Sequence, residues 1–237
     1  MNDDDSTQGF NMGDNFAFSE KTIRMGFIRK VYGILLCQIL VTILFIVLFL
    51  YAPPVQQFAA LNPWMWYVAI ILTFVMIIAL ACCPDVRRQY PVNMILLGIF
   101  TICEGFLLGG VAGTYNEKSV LMAVGVTAIV TFALTVFAFQ TKIDFTMMGG
   151  LLFVFLIVLI CFGFLCAIIQ NEYARLAYSC LGALLFSAYI VFDTQMMIGG
   201  KHKYSLSPEE YVFAALNLYL DIVNLFLLLL SIFGSRN

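Results

Sequence analysis

The chain has 237 residues, with 12 Lys plus Arg against 14 Asp plus Glu and a formal net charge of −2, a balance that offers no basic footprint for nucleic acid. Hydrophobic residues make up 62% and charged residues 11%, which excludes an ordinary soluble domain. The apolar runs approach or exceed the ~20 residues that cross a bilayer core as helix, so the fold class is an all-α polytopic membrane protein; a β-barrel would show alternating segments of about 10 residues instead.

Residues Met1 to Glu20 carry Asp3, Asp4, Asp5, Asp14 and Glu20 with few apolar residues. That composition predicts a disordered acidic tail over residues 1–20. The remainder, 21–237, reads as one transmembrane domain because loops are short and no soluble segment interrupts the series. Spans are predicted at about Val31 to Tyr51, Trp64 to Cys83, Val92 to Gly113, Val120 to Phe139, Met147 to Ile169, Ala174 to Ile198 and Tyr211 to Phe233. The first follows Lys21, Arg24, Arg29 and Lys30, is too long for a signal-peptide core and lacks a small-residue cleavage site, so it is expected to remain as an anchor.

Seven spans divide the basic residues unevenly. Lys21, Arg24, Arg29, Lys30, Arg87, Arg88, Lys142, Lys201 and Lys203 fall on one side, and Lys118, Arg175 and Arg236 on the other. The side rich in Lys and Arg is the cytosolic one, which places the N-terminus in the cytosol. A full last crossing puts the C-terminus on the opposite side; a re-entrant last segment returns it.

The seven cysteines, Cys37, Cys82, Cys83, Cys103, Cys161, Cys166 and Cys180, lie within or at the edge of apolar spans, where Cys is expected to pack as a small buried hydrophobe. They show neither a disulfide framework nor zinc spacing. Cys82-Cys83, at the end of the second span, could accept palmitate, but plain packing is the expected role. His202 is read as a solvated loop residue between Lys201 and Lys203.

Ionisable groups at membrane depth are costly and are functional candidates for that reason. Asp193 lies in Ala188-Tyr-Ile-Val-Phe-Asp193-Thr-Gln and Asp221 in Asn217-Leu-Tyr-Leu-Asp221-Ile-Val-Asn224. Asn217, Asp221 and Asn224 follow i, i+4, i+7 and form one polar face of the last helix. Span six offers Ser179, Gly182, Phe186, Tyr189 and Asp193 at matching helical spacing, with Tyr189 one turn from Asp193. Between the two spans, Gly199-Gly200 stops one helix and Ser207-Pro208-Glu209-Glu210 starts the next, with Ser as N-cap and Pro at N1. Counting from these ends leaves the two aspartates mismatched in depth by roughly 6 to 12 Å, so pairing requires tilt or unequal helix ends. Interhelical glue is the structural alternative for this polar face.

Glu104 is a third membrane-depth acid, and is either a pathway-lining carboxylate or a structural hydrogen-bonded one. Gly105, Gly109 and Gly113 beside it repeat every four residues, the pattern for close helix approach.

Several strings together carry a resemblance: Ile23-Arg-Met-Gly-Phe-Ile-Arg-Lys-Val-Tyr32, Arg87-Arg-Gln-Tyr-Pro-Val-Asn93, Phe139-Gln-Thr-Lys-Ile-Asp-Phe145, Phe192-Asp-Thr-Gln195, Ser205-Leu-Ser-Pro-Glu-Glu-Tyr211 and Leu220-Asp-Ile222. In order, and from about Lys21 to the C-terminus, they resemble the Lifeguard branch of the transmembrane Bax inhibitor motif family. The resemblance implies six helices wrapped around a central C-terminal helix and a pH-sensitive calcium leak across intracellular membranes that restrains cell death. It also implies that Asp193 and Asp221 are the pH sensor and gate, with Glu104, Asn217, Asn224 and Tyr189 as possible ion-pathway residues. Prokaryotic relatives hold the aspartates with an arginine in the second span, and Trp64 to Cys83 contains none. The tail also lacks the Pro-rich extension of some Lifeguard members.

Two carboxylates a few Å apart in low dielectric cannot both ionise cheaply, so such a pair shares one proton and titrates as a unit. Ionised, Asp193 and Asp221 offer hard oxygen ligands for transient Ca²⁺. No permanently bound cofactor is expected, and Ca²⁺ enters as the transported ion. The expected partners are the lipid bilayer, Ca²⁺ and Bcl-2-type or death-receptor pathway proteins, in endoplasmic reticulum or Golgi membrane with the plasma membrane as a further site. A cation/proton exchanger and a non-conducting scaffold for cell-death regulators are the competing readings. An intramembrane aspartyl protease is disfavoured because Leu220-Asp221 lacks a Gly-x-Gly-Asp context, and no enzyme is expected.

Overall fold

The computed structural model describes residues 5–199 and 202–235. Among these there is no strand. Helices run in the order α1 (Asp5–Tyr51), α2 (Pro53–Leu61), α3 (Trp64–Cys82), α4 (Pro84–Arg88), α5 (Val92–Ala112), α6 (Glu117–Gln140), α7 (Gly149–Ile169), α8 (Glu172–Ile198) and α9 (Tyr211–Phe233). Seven of them, all but α2 and α4, are long and apolar enough to cross a bilayer. The chain is therefore an all-α protein with seven membrane-spanning candidates, at the seven places the apolar runs mark.

The helix ends depart from the apolar runs where polar caps extend them. α6 begins three residues and α8 two residues earlier than their apolar runs, because Asn116 accepts from the Lys118 N–H and Asn171 accepts from the N–H groups of Tyr173 and Ala174. Such caps satisfy amide donors that have no partner inside the helix. α1 is described from Asp5, ahead of the apolar run that begins at Val31. A helix already nucleated in an apolar span gains one hydrogen bond for each residue it adds, which lets it run into polar sequence. Residues 1–4 lie outside the described residues, as do Gly200, Lys201 and Arg236 from the loop and charge arguments.

Between α8 and α9 the chain turns as its residues dictate. Gly199 ends α8 at φ 60°, a conformation open to glycine. Ser207 accepts from the Glu209 N–H, Pro208 opens a short 3₁₀ turn over Pro208–Glu210, and α9 follows.

α9 is the innermost span: about two-thirds of its apolar stretch is buried, against a third or less for each of the other six. It packs against α1, α3, α5, α6 and α8, while α7 packs on α8. Phe100 of α5 meets Tyr219 of α9 edge to face at 5.6 Å. The outward faces carry Ile129, Phe132, Phe164 and Leu184, large apolar groups that bilayer hydrocarbon covers.

Helices α1 and α5 touch through the glycines. A Cβ on Gly105 would stand 2.7 Å from Phe45 Cδ2, and one on Gly109 would stand 2.8 Å from the Phe45 carbonyl oxygen. The glycine spacing thus serves close packing at Gly105 and Gly109, whereas Gly113 is the residue after the helix and meets only ordinary contacts. Gly110 accommodates the Trp66 ring in the same way.

The cysteines correct the sequence reading. Cys37, Cys82, Cys83, Cys161 and Cys180 are exposed, and Cys103 and Cys166 are half-buried. Hydrophobicity does not choose between core and lipid in a membrane, so a small apolar side chain sits equally well on the outer face.

One end of the bundle gathers the basic loops. Arg24 donates to the Leu206 carbonyl at 2.7 Å, Arg87 and Arg88 meet Glu210 Oε1 at 2.6 and 2.8 Å, and the Lys30 ammonium lies 3.3 Å from the centre of the Tyr211 ring. In the α6–α7 loop, Asp144 accepts from Lys203 N at 2.9 Å and pairs with His202 Nδ1 at 3.2 Å. His202 is therefore a paired, partly covered group and not the solvated loop residue expected from its neighbours.

Candidate functional site

The helical spacings that mark α8 and α9 bring their polar faces together. Asp193 on α8 is 9% exposed and Asp221 on α9 is 6% exposed, and their carboxyl groups stand within hydrogen-bonding reach of one another. The expected depth mismatch is absorbed by unequal helix ends. Asp221 lies roughly 15 Å along α9 from Tyr211, and Asp193 roughly 7 Å along α8 from Ile198, so α9 begins beyond the level at which α8 stops.

The pair opens onto a cavity of about 500 Å³ between α7, α8 and α9. Asn217 and Asn224 of α9 and Tyr189 of α8 line it with the two aspartates. Its apolar wall is Leu156, Leu159 and Ile160 of α7 with Phe186 and Phe192 of α8. Five of the six residues singled out by sequence thus share one cavity. Asn224 already donates to the Leu220 carbonyl on its own helix at 2.7 Å, which leaves its carbonyl oxygen as the free acceptor.

Glu104 stands apart. It lies half-buried on α5, with Cys103 and Tyr219 as its electrostatic neighbours, and does not line the carboxyl cavity. Around it runs a separate buried network. Tyr219 Oη and Thr42 Oγ1 lie 2.6 Å apart, and Gln38 Nε2 donates to Thr101 Oγ1 at 3.1 Å.

Among the described residues, no Lys or Arg forms an ion pair with Asp193 or Asp221; the ion pairs join Arg87 and Arg88 to Glu210, and His202 to Asp144. Among the described residues no N–H or hydroxyl donor reaches the buried Asp221 Oδ2, and the group beside it is the Asp193 carboxyl. A buried carboxyl oxygen left in that state demands a proton or a cation.

Two functional-looking groups escape the sequence argument. Gln195, fully buried and two residues beyond Asp193, donates to the Ile143 carbonyl at 2.9 Å and accepts from Phe145 N at 2.7 Å. It ties the aspartate-bearing helix to the α6–α7 loop. Asp144 is the second. Hydrogen bonds from the Thr146 hydroxyl and the Lys203 and Thr146 backbone N–H groups, with His202, hold its carboxyl down at about 2. Both stand in the strings Phe192-Asp-Thr-Gln195 and Phe139-Gln-Thr-Lys-Ile-Asp-Phe145, so a signal existed, although it came without a role. The α7 wall gives no such signal, because that span is apolar all round.

Fold and site together define a polytopic α-helical membrane protein with a buried carboxyl pair between its last two spans. The family model described as "Inhibitor of apoptosis-promoting Bax1" matches residues 24–237. Protein lifeguard 3 of Homo sapiens is 38% identical over 224 residues, covering 93% of this chain and 72% of that protein; its counterpart in Mus musculus is 37% identical over the same length. Golgi anti-apoptotic protein of Vaccinia virus (strain Lister) is 40% identical over 228 residues, 96% of this chain and 93% of that protein. The chain belongs to the Bax inhibitor-1-like family, on the side of its Lifeguard members.

Proposed function

We propose that this protein is a pH-sensitive calcium leak channel of an intracellular membrane, gated by a proton shared between Asp193 and Asp221, and that it restrains cell death. The observation that carries the reading is the carboxyl pair itself, buried in mutual contact at the edge of a cavity with no basic group among the described residues paired to it. With the proton in place the two groups form a hydrogen-bonded latch between α8 and α9; without it they repel and present oxygen ligands to a hard cation. Asn217, Asn224 and Tyr189 add neutral oxygens around the same space, suited to weak, transient binding of Ca²⁺ as cargo. Glu104 belongs to a second polar layer, outside the carboxyl cavity, and the proposed ion route includes it there.

The anti-apoptotic role is supported by the name of the vaccinia relative and by the family, and a Golgi location by that name; the endoplasmic reticulum is the alternative endomembrane. The reading includes a ring of six helices about α9, supported by the burial of that helix, and a cytosolic N-terminus, supported by the basic loops at one end. Bcl-2-type or death-receptor pathway proteins are the proposed protein partners.

The test is Ca²⁺ efflux from liposomes holding the purified protein, as a function of pH. Wild type is expected to show a pH-dependent leak, and Asp193→Asn or Asp221→Asn to flatten the profile, since each removes the shared proton while keeping size. An unchanged profile in both variants rejects the sensor. Flux that needs a counter-gradient of protons or cations assigns an exchanger, and absence of flux assigns a scaffold.

A further inference from the structure

The polar faces of α8 and α9 continue past the carboxyl pair, and at one level they stop being polar. On α9 the face reads Asn217, Asp221, Asn224, Leu228 and Ser231; on α8, antiparallel to it, the face reads Asp193, Tyr189, Phe186, Gly182 and Ser179. The two serines meet, Ser179 Oγ to Ser231 Oγ at 3.0 Å. One turn before them Leu228 faces Gly182. A Cβ on Gly182 would stand 2.9 Å from both Cδ1 and Cδ2 of Leu228 and 3.3 Å from Cδ2 of Leu159, so the missing side chain is the seat of an isobutyl group and α7 closes over it. Leu228 and Leu159 are 7% and 6% exposed. Leu228 is roughly 10 Å along α9 from Asp221, and Leu159, with Tyr178 of α8, lines the far end of the same cavity.

We infer that Leu228, seated on Gly182 and covered by Leu159, is the apolar constriction that closes the carboxyl cavity on the side away from the Arg87–Glu210 end, with Ser179 and Ser231 as the polar ring beyond it. This rests on the proposed leak for its consequence, not for its geometry. An apolar collar between two polar layers empties of water at small radius and bars a hydrated cation, whereas the hydroxyl and carboxamide groups on either side would support one. Glycine at 182 is what permits the collar to close without a gap between α8 and α9, so an apolar leucine in the polar stripe has a reason to be there.

The experiment separates the collar from the leak. In full-length protein with its seven native cysteines replaced by Ser or Ala, Asn224→Cys supplies a thiol on the cavity side of the collar. Its rate of modification by a charged, impermeant methanethiosulfonate is read in sealed proteoliposomes with the reagent on the side of the α9 C-terminus. Adding Leu228→Ala or Leu159→Ala is expected to raise that rate by about ten-fold, equivalent to ~1.4 kcal/mol off the barrier. Leu225→Ala, a truncation of equal size at a buried α9 position off this face, is expected to leave it unchanged. An unchanged rate in both collar variants, or an equal rise with Leu225→Ala, overturns the inference. Should Leu228→Ala not fold, Leu159→Ala decides by itself, since it acts from a different helix. Ca²⁺ efflux is read on separate vesicles that hold the same collar variants with Asn224 intact: a raised labelling rate with no efflux in any variant upholds the collar and sinks the channel, and raised efflux with unchanged labelling does the reverse.

Discussion

Asp221 poses the sharpest question at the level of single residues, because among the described residues no N–H or hydroxyl donor reaches its buried Oδ2 and its neighbour is another carboxyl. Removing it relieves a problem as much as it removes a contact. One lost polar contact between membrane helices is worth about 0.6 to 2 kcal/mol, and here the lost partner is a group of like charge. Asp221→Ala is therefore expected to keep near-wild-type thermal stability in detergent while altering Ca²⁺ flux. If the polar face is glue alone, Asn217→Leu and Asn224→Leu should lower the melting temperature as much as Asp221→Ala does, and flux should track the amount of folded protein. Asp144 supplies a pH-linked contrast. The Thr146 hydroxyl, the Lys203 N–H and His202 hold its carboxyl at about 2 from an ordinary 3.8. The folded value lies below the unfolded one, so the loop contact is fully present above the ordinary value and is lost as pH falls through about 2. Hydrogen exchange at the Lys203 amide, corrected for its intrinsic rate, should show constant protection from neutral pH down to about 4. In Asp144→Ala that protection should be missing at every pH.

Among the elements, the contacts between helices fall into two kinds, backbone against backbone and charge against charge, and each gives a different mutational outcome. Gly109 faces the Phe45 carbonyl, which cannot rotate away, whereas Gly113 meets nothing closer than 3.4 Å. Gly109→Ala is expected to separate α1 from α5 at a cost of about 1 to 3 kcal/mol and Gly113→Ala to be nearly neutral, as thermal melts in detergent would show. Glu210 anchors the start of α9 to α4 through Arg87 and Arg88. Glu210→Gln keeps the shape and removes the charge that both guanidinium groups use, so it should destabilise by about 2 kcal/mol. The spans themselves were legible because a bilayer imposes a length that composition alone can reveal. Helices α2 and α4 were not, since nine and five residues fall below any periodicity test and only Pro53 and Pro84 at their first positions mark them. The pairing of Asp193 with Asp221 was legible as a possibility through the i, i+4, i+7 spacing. Its depth was not, because depth depends on how far one helix overshoots its neighbour, and that is fixed by distant contacts such as Arg87 with Glu210.

For the molecule as a whole, sidedness follows from where the loops meet. Arg24 before the first span, Arg87 and Arg88 between α3 and α5, Asp144 between α6 and α7, and the segment 202–210 between α8 and α9 all touch at one end of the bundle. An even number of crossings separates each of these from the next, which is what a chain with seven spans requires. Lys and Arg concentrated on that end favour its retention in the cytosol during insertion. A cysteine placed at Ser6 in a background without native cysteines, and a second placed at Ser205, should therefore behave alike. In sealed vesicles with the cytosolic face outward, an impermeant maleimide is expected to label both from outside. After inversion of the membrane neither should be labelled until detergent is added. Labelling of Ser6→Cys and Ser205→Cys from opposite faces would contradict the seven-span count itself, because the contacts of Arg24 with the Leu206 carbonyl and of Asp144 with Lys203 cannot form across a bilayer. Labelling of both from the lumenal face would preserve the fold and reverse its orientation, and the constriction at Leu228 would then close toward the cytosol.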